Sequence, residues 1–387
     1  MQNGESDLRL IPYCISGPPE KRTSVVLAKS VPAKRFGITT GEPISAALRK
    51  CPDLVIAPPD FMLYKRCSKA FKDICRSYAP VVEEFSIDEC FLDMTGTGLV
   101  YPDPIHTAYE IKNKIRDELG FTVNIGIGNN KLLAKTAGDF EKPDKVHTLF
   151  DNEIAQKFWA LPVGNLLFAG KSTVAKLHQK SIYTIGELAA YPLDCLKYVF
   201  GEKTAAQLHA HANGIDNSPV KAEPDKAKGY SISTTLEDDV TTFETADAIL
   251  LSLADSVTAH MRREGAKAFG ISVHIRMSSF KNKSHQTKLD TPTDITNVVY
   301  TTARRLLREV WHNEPLRLIG IALTDVTFED YEQMTLLDEE TTSHEREEKL
   351  DKAIDALRSR FGSDVVKRGT VVNSGLDVGK KFKNKKP

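Results

Sequence analysis

"VEEFSIDECFLDMTG", Val82 to Gly96, sets the central problem of this sequence. Asp88 and Glu89 are adjacent in a run whose Phe85, Ile87, Phe91 and Leu92 suit a β-strand. Neighbouring strand side chains point to opposite faces, so the two carboxylates converge only at a turn or twist. Side by side they repel, and burial would add desolvation. A divalent cation removes the repulsion, and its preference for hard oxygen ligands suits Mg²⁺. The competing reading is an exposed acidic pair at a hairpin tip. A catalytic Mg²⁺ site also needs cations for a phosphate group.

Two segments supply them. "AKSVPAKRFGITTG" brings Lys29, Lys34 and Arg35 after a strand, and "GIGNNKLLAKTAGDFEKPDK" brings Lys131, Lys135, Lys142 and Lys145 beside a helix N-terminus. "GNLLFAGKS" (164–172) is not a phosphate-binding P-loop, because five residues separate its glycines where that motif needs four. "GKSTVAKLHQKSIYTIGELAAY" reads instead as two short helices around a turn, whose backbone amides suit a DNA phosphate. From Arg262 to Lys288 seven Lys/Arg face a single acid, Glu264. Such a stretch tracks a phosphate backbone or guards an edge strand.

The 387 residues exceed one typical core and predict two to four domains. Formal net charge is zero, so local clustering must identify any nucleic-acid partner. No stretch has the length and apolarity of a signal peptide or membrane span. Six scattered cysteines form no CxxC pair, which favours reduced thiols and a cytoplasmic location. Mixed strands and helices up to about residue 150 give way to short helices over 161–217. "KAEPDKAKG" reads as a linker, and a two-helix, four-strand pattern follows. In the helix from about Asp60, Leu63, Cys67, Ala70, Phe71, Ile74 and Tyr78 form the apolar face. Lys65, Arg66, Lys69, Lys72 and Arg76 form the opposite face.

The order of these segments resembles the Y-family of DNA polymerases, the DinB/UmuC-like translesion class. "SIDE" (86–89), "NKLLAKTAGDFEKP" (130–143), "VLAKSVPAKRFGITTGEPISAALRKCP" (26–52) and "LPV…GKST…KSIYTIGELA" carry the resemblance, which runs from about Leu8 to Phe361. It implies an α+β multidomain right-hand polymerase. The fingers region would span 1–60, the palm 61–155, a helical thumb 156–220 and a linker 221–228. The little finger would span 229–328, and a clamp-binding segment, helix and basic tail 329–387.

The resemblance makes Asp88 and Glu89 the catalytic carboxylates holding two Mg²⁺ ions. Lys34 and Lys142 become nucleotide-binding, and Gly170, Lys171, Arg276, Lys281, Lys283 and Lys288 DNA-binding. Gln333, Leu336 and Leu337 of "QMTLL" resemble a sliding-clamp peptide. The implied activity is template-dependent translesion synthesis on primer-template DNA with dNTPs, by a monomer with no membrane association. Val31 stands where many members have Tyr, and Ala169 replaces the first hairpin glycine of the thumb. The first palm strand, with its aspartate and steric-gate aromatic, is absent. The expectation is then either a fragment of the enzyme or a catalytically dead remnant that binds primer-template or clamp.

Overall fold

The computed structural model describes residues 7–312, 314–329, 338–362 and 365–366. The chain divides into two compact units, Met1–Asp60 with Lys226–Pro387, and Phe61–Asp225.

The first unit begins with β1 (Tyr13–Ile15), β2 (Ala28–Lys29), α1 (Val31–Arg35), α2 (Ile44–Lys50) and β3 (Val55–Ala57). β1 pairs antiparallel with β2 and parallel with β3. The apolar runs "RLIPYCIS" and "TSVVLAK" predict two longer strands than the three and two residues of β1 and β2. Pro12 immediately precedes β1 and has no N–H to give a ladder. Ser30 opens α1 by accepting the Ala33 N–H at 3.2 Å. Cys14, Val26, Ile38 and Ile44 fill a small core beneath.

The second unit contains α3 (Phe61–Arg76), β4 (Val81–Glu84), β5 (Cys90–Asp93), α4 (Pro104–Leu119), β6 (Ile125–Gly128), α5 (Lys131–Gly138) and β7 (Val146–Leu149). It closes with α6 (Lys171–His178), α7 (Ile185–Ala190), α8 (Leu193–Phe200) and α9 (Glu202–Ala212). Phe71, Cys75 and Tyr78 pack against Ile111 and Ile115 of α4, joining helices from either side of the β4–β5 hairpin. Asp103 caps α4, and Gly120 ends it in the left-handed conformation at φ 76°. Lys72, expected on the solvated face of α3, is 4% exposed, so that face is not wholly solvated. The capping box at Thr184 and Glu187 opens α7. A second core, including Leu133, Phe158, Leu177 and Leu188, carries on from α5 through the short helices.

The first unit resumes with β8 (Tyr230–Val240), α10 (Phe243–Arg263), β9 (Lys267–Met277), β10 (Asn282–Thr293), α11 (Thr296–Val310) and β11 (Leu316–Thr327). The four strands form an antiparallel sheet in the order β10-β9-β11-β8, with α10 and α11 covering one face. Alternate residues Ile271, Val273, Ile275 and Met277 enter that core. The β8 register shifts between Thr235 and Val240, and Glu237 and Asp239 between them meet the 16–24 turn. There Lys21 lies 2.6 Å from Glu237 and Arg22 lies 2.8 Å from Asp239. Helix α12 (Asp338–Phe361) returns to this domain. Asp351 accepts the Thr296 N–H at the start of α11, and Asp355 meets Arg262 at 2.7 Å.

Candidate active site

Asp88 and Glu89 do not lie within a strand, as the apolar pattern had suggested. β4 stops at Glu84 and β5 starts at Cys90, leaving 85–89 as the connecting turn. The Phe85 and Ser86 N–H groups both donate to the Glu89 carbonyl at 3.1 Å and close the turn. Phe85 stacks edge-on against Phe91 with ring centroids 5.2 Å apart, which accounts for the apolar flanks. The pattern had mixed the turn's hydrophobic support with a strand face. At a turn, adjacent carboxylates escape the strict opposite-face rule of a strand.

Each carboxylate is held from one side. Ser86 Oγ donates to Asp88 Oδ1 at 2.7 Å. Lys135 Nζ donates to Glu89 Oε1 at 2.6 Å and lies 2.9 Å from Asp139, which also accepts from Lys142 at 2.8 Å. Glu89, Lys135, Asp139 and Lys142 thus alternate in charge from the turn along α5 to the loop beyond it. Burial alone would raise the Asp139 carboxyl, but hydrogen bonds from Lys142 and Lys135 outweigh it and hold it below its ordinary value. Burial would lower Lys135; its bonds to Glu89 and Asp139 prevail and raise it.

The close seating of α5 follows from two glycines. A Cβ on Gly126 would meet the Ala134 carbonyl oxygen at 2.0 Å, and one on Gly128 would meet Ala134 N at 2.7 Å. Only glycine lets backbone approach backbone this closely. Asn130 caps the helix by accepting the Leu133 N–H at 2.9 Å. Lys131 then reaches Glu83 at 2.7 Å, and Lys135, one turn on, reaches Glu89.

On the other side, Lys72 Nζ donates to Glu84 at 2.9 Å and to the Ser86 carbonyl at 2.7 Å. Arg76 also bonds Glu84. The Lys72 hydrogen bond, followed by that from Arg76, holds the Glu84 carboxyl below its ordinary value against a burial effect of opposite sign. Lys135 was read in the sequence only as one of several available cations, and Lys72 as a solvated one. Their specific acceptors lie 46 and 14 residues away along the chain, so spacing gave no signal.

The donor set fits a hard divalent cation. Both carboxylates reach solvent and their ligand atoms are oxygens. Among the described residues, Asp88 Oδ2 and Glu89 Oε2 accept no hydrogen bond, leaving one oxygen of each side chain for an ion. No group of three or more His, Cys, Asp or Glu residues gathers as a metal-ligand cluster among them.

The other predicted residues lie elsewhere. Lys34 is exposed on α1 in the first unit. Gly170 caps α6 and Lys171 is its first residue, both exposed. Arg276, Lys281, Lys283 and Lys288 occupy the β9–β10 hairpin but do not form one stripe. Arg276 pairs with Asn282 and Lys288 with Gly270, both on the sheet face away from the helices. Lys283 pairs with Ile275, whose side chain enters the core, and therefore lies on the helix-covered face. Lys281 sits in the connecting turn. The alternation of an extended strand splits charges that look continuous in sequence. Gln333, Leu336 and Leu337 lie outside the described residues.

Comparisons with known proteins give the family and the fold. The sequence profile of the impB/mucB/samB family matches residues 1–139, and its C-terminal domain matches 227–336. The DNA polymerase-iota thumb profile matches 169–216. The chain is 40% identical to DNA polymerase IV of Clostridium acetobutylicum, over 96% of this chain and 93% of that protein. It is 34% identical to DNA polymerase IV of Clostridium kluyveri, over 93% of this chain and 92% of that protein. Among solved structures, a Y-family DNA polymerase chimera, Dbh-Dpo4(243-245)-Dbh, shares the fold with a TM-score of 0.71 and 21% identity. The match covers 83% of this chain and 93% of that one. The family profiles and the sequence relatives lead to one assignment: the chain belongs to the impB/mucB/samB family, the Y-family DNA polymerases.

Proposed function

We propose that this chain is a template-dependent translesion DNA polymerase that extends a primer past damaged template bases by nucleotidyl transfer. The observation that carries it is the pair Asp88 and Glu89 on one turn, backed by Lys135, Asp139 and Lys142. The two relatives named DNA polymerase IV, each matched over at least 92% of its length, favour the polymerase over the remnant reading.

Asp88 and Glu89 would hold two Mg²⁺ ions. Such ions would favour loss of the proton from the attacking 3′-hydroxyl and stabilise the negative charge of the departing pyrophosphate. The protein groups provide orientation. Ser86 aims Asp88, Lys135 holds Glu89, and Lys142 is the cation offered to the incoming triphosphate. Lys34, in the fingers region, is a further nucleotide-binding residue. The four regions are fingers over 1–60, palm over 61–155, helical thumb over 156–220 and little finger over 229–328, with 221–228 as linker. Gly170 and Lys171 at the start of α6, and the cations of the β9–β10 hairpin, engage primer-template backbone. "QMTLL" carries Gln333, Leu336 and Leu337 to a sliding clamp. The protein acts as a cytoplasmic monomer, and no described helix is long and apolar enough to cross a membrane.

Primer extension with Mg²⁺, dNTPs and an abasic template tests the reading. Extension by the wild type and its loss in Asp88→Ala support it. Undiminished extension by Asp88→Ala refutes the assigned site.

A further inference from the structure

The amine of Lys72 ends beneath the turn that carries the two carboxylates. Its side chain is 5% exposed, and a charge so buried persists in a fold only when paired. One partner, Glu84, is half exposed and also bonded by Arg76, so Lys72 is not its only cation. The other partner is the carbonyl of Ser86, accepting at 2.7 Å. Ser86 lies in the 85–89 turn, beyond the last paired residue of β4.

Ser86 also acts on the opposite side of the turn. Its hydroxyl donates to Asp88 Oδ1 at 2.7 Å and lies 3.4 Å from the Asp88 N–H as an acceptor. A serine–aspartate bond in water defines a rotamer weakly, because both partners are solvated and free to turn. A serine whose carbonyl is pinned from within, and whose N–H is bonded to Glu89 at 3.1 Å, has little freedom left. Its hydroxyl then holds the carboxylate in one place, the arrangement by which supporting groups orient metal ligands.

We propose that Lys72 is a positioning residue for Asp88, pinning the Ser86 carbonyl so that the Ser86 hydroxyl aims the carboxylate at the metal and nucleotide. The inference rests on Asp88 being a metal-binding carboxylate, as set out above. It makes Lys72, Ser86 and Asp88 one mechanical chain, with only its last member touching the reacting groups.

The test uses the full chain carrying Lys72→Met, Ser86→Ala, both together, Ser86→Thr, or Asp88→Asn. Mn²⁺ binding is followed by the electron paramagnetic resonance signal of the free ion, alongside kcat and dNTP KM in Mg²⁺ and the thermal unfolding midpoint. Lys72→Met and Ser86→Ala should each lower kcat and Mn²⁺ affinity by about 10-fold or more, the usual size of effects on groups that orient metal ligands. KM for dNTP should stay within about 3-fold, since triphosphate contacts are untouched. The double variant should be no worse than the more severe single one, because members of one chain are not additive. Ser86→Thr, which keeps the hydroxyl, should resemble the wild type. A Lys72→Met protein with a lower unfolding midpoint but wild-type kcat and Mn²⁺ affinity overturns the proposal, as do fully additive losses. If Lys72→Met fails to fold, Ser86→Ala decides alone, and wild-type values there overturn it. Asp88→Asn separates the two readings: if it retains Mn²⁺ binding and extension, the site assignment itself fails.

Discussion

Two hairpins of this molecule carry clustered charge and satisfy it in opposite ways. At the β4–β5 turn the charged groups are tied down internally: Asp88 by Ser86, Glu89 by Lys135, and Glu84 by Lys72 and Arg76. At the β9–β10 turn, Lys281 and Lys283 are exposed and have no acidic partner among the described residues. The difference matches the role proposed for each hairpin. A catalytic carboxylate must already be in position when its ligand arrives, so that reorganisation is not charged to the reaction. A cation meant for a DNA phosphate gains affinity by releasing counterions and serves best uncommitted.

The largest effects should come from the tied hairpin. Asp88→Ala and Glu89→Ala should lower nucleotide addition by about 1,000-fold or more, the several kcal/mol expected when metal stabilisation of the transition state is lost. Affinity for primer-template should change little, and single-turnover extension beside DNA-binding titration checks both. Lys135→Met should follow, at about 10- to 100-fold in kcat, because it frees Glu89 without removing it. Equal losses of activity and DNA affinity in these variants would erase the contrast between the hairpins.

The open hairpin should respond to salt. Lys281→Ala and Lys283→Ala should each reduce the slope of log affinity against log salt by about 0.9 on duplex DNA, with little dependence on sequence. An unchanged slope in the double variant would make these lysines an ordinary solvated edge. Lys288→Ala should do less, since Lys288 is already shared with Asp325 at 3.4 Å and lies over Phe269. A full 0.9 unit from Lys288, on the same principle, would show that the internal partner is no competitor for phosphate.

Acid should weaken the fold around the tied hairpin. Glu84 and Asp139 are held below their ordinary values of 4.5 and 3.8. A carboxyl depressed in the folded state contributes stability that is fully present above its unfolded value and lost as pH falls through the folded one. The unfolding midpoint should therefore drop as pH falls below about 4.5, and Lys72→Met should flatten the part of that dependence due to Glu84. A midpoint flat down to pH 3 would mean these bonds carry no net stability.

Much of this was legible in the sequence where a residue's neighbours along the chain decide its state. Thr184 and Glu187 lie within one turn, as do Asn130 and Leu133, and the alternation in "AFGISVHIRM" is that of β9 itself. The adjacent Asp88 and Glu89, with Lys142 in the right order behind them, were also visible. Lys72 was not, because its acceptor belongs to a turn formed by another element and helical spacing alone placed it among solvated lysines. The strand reading of 85–89 failed for a related reason. Phe85 is apolar to meet Phe91 across the hairpin, a pairing that exists only once the chain has turned.

The most direct test of the central claim is Mg²⁺-dependent primer extension by the 387-residue chain beside Asp88→Ala and Glu89→Ala, with DNA binding measured on the same preparations. The account predicts that the wild-type chain adds nucleotides slowly, because the first palm aspartate is absent from it, that either substitution abolishes that addition, and that all three proteins bind primer-template alike. Extension that survives both substitutions, or loss of primer-template binding in step with loss of extension, would contradict it.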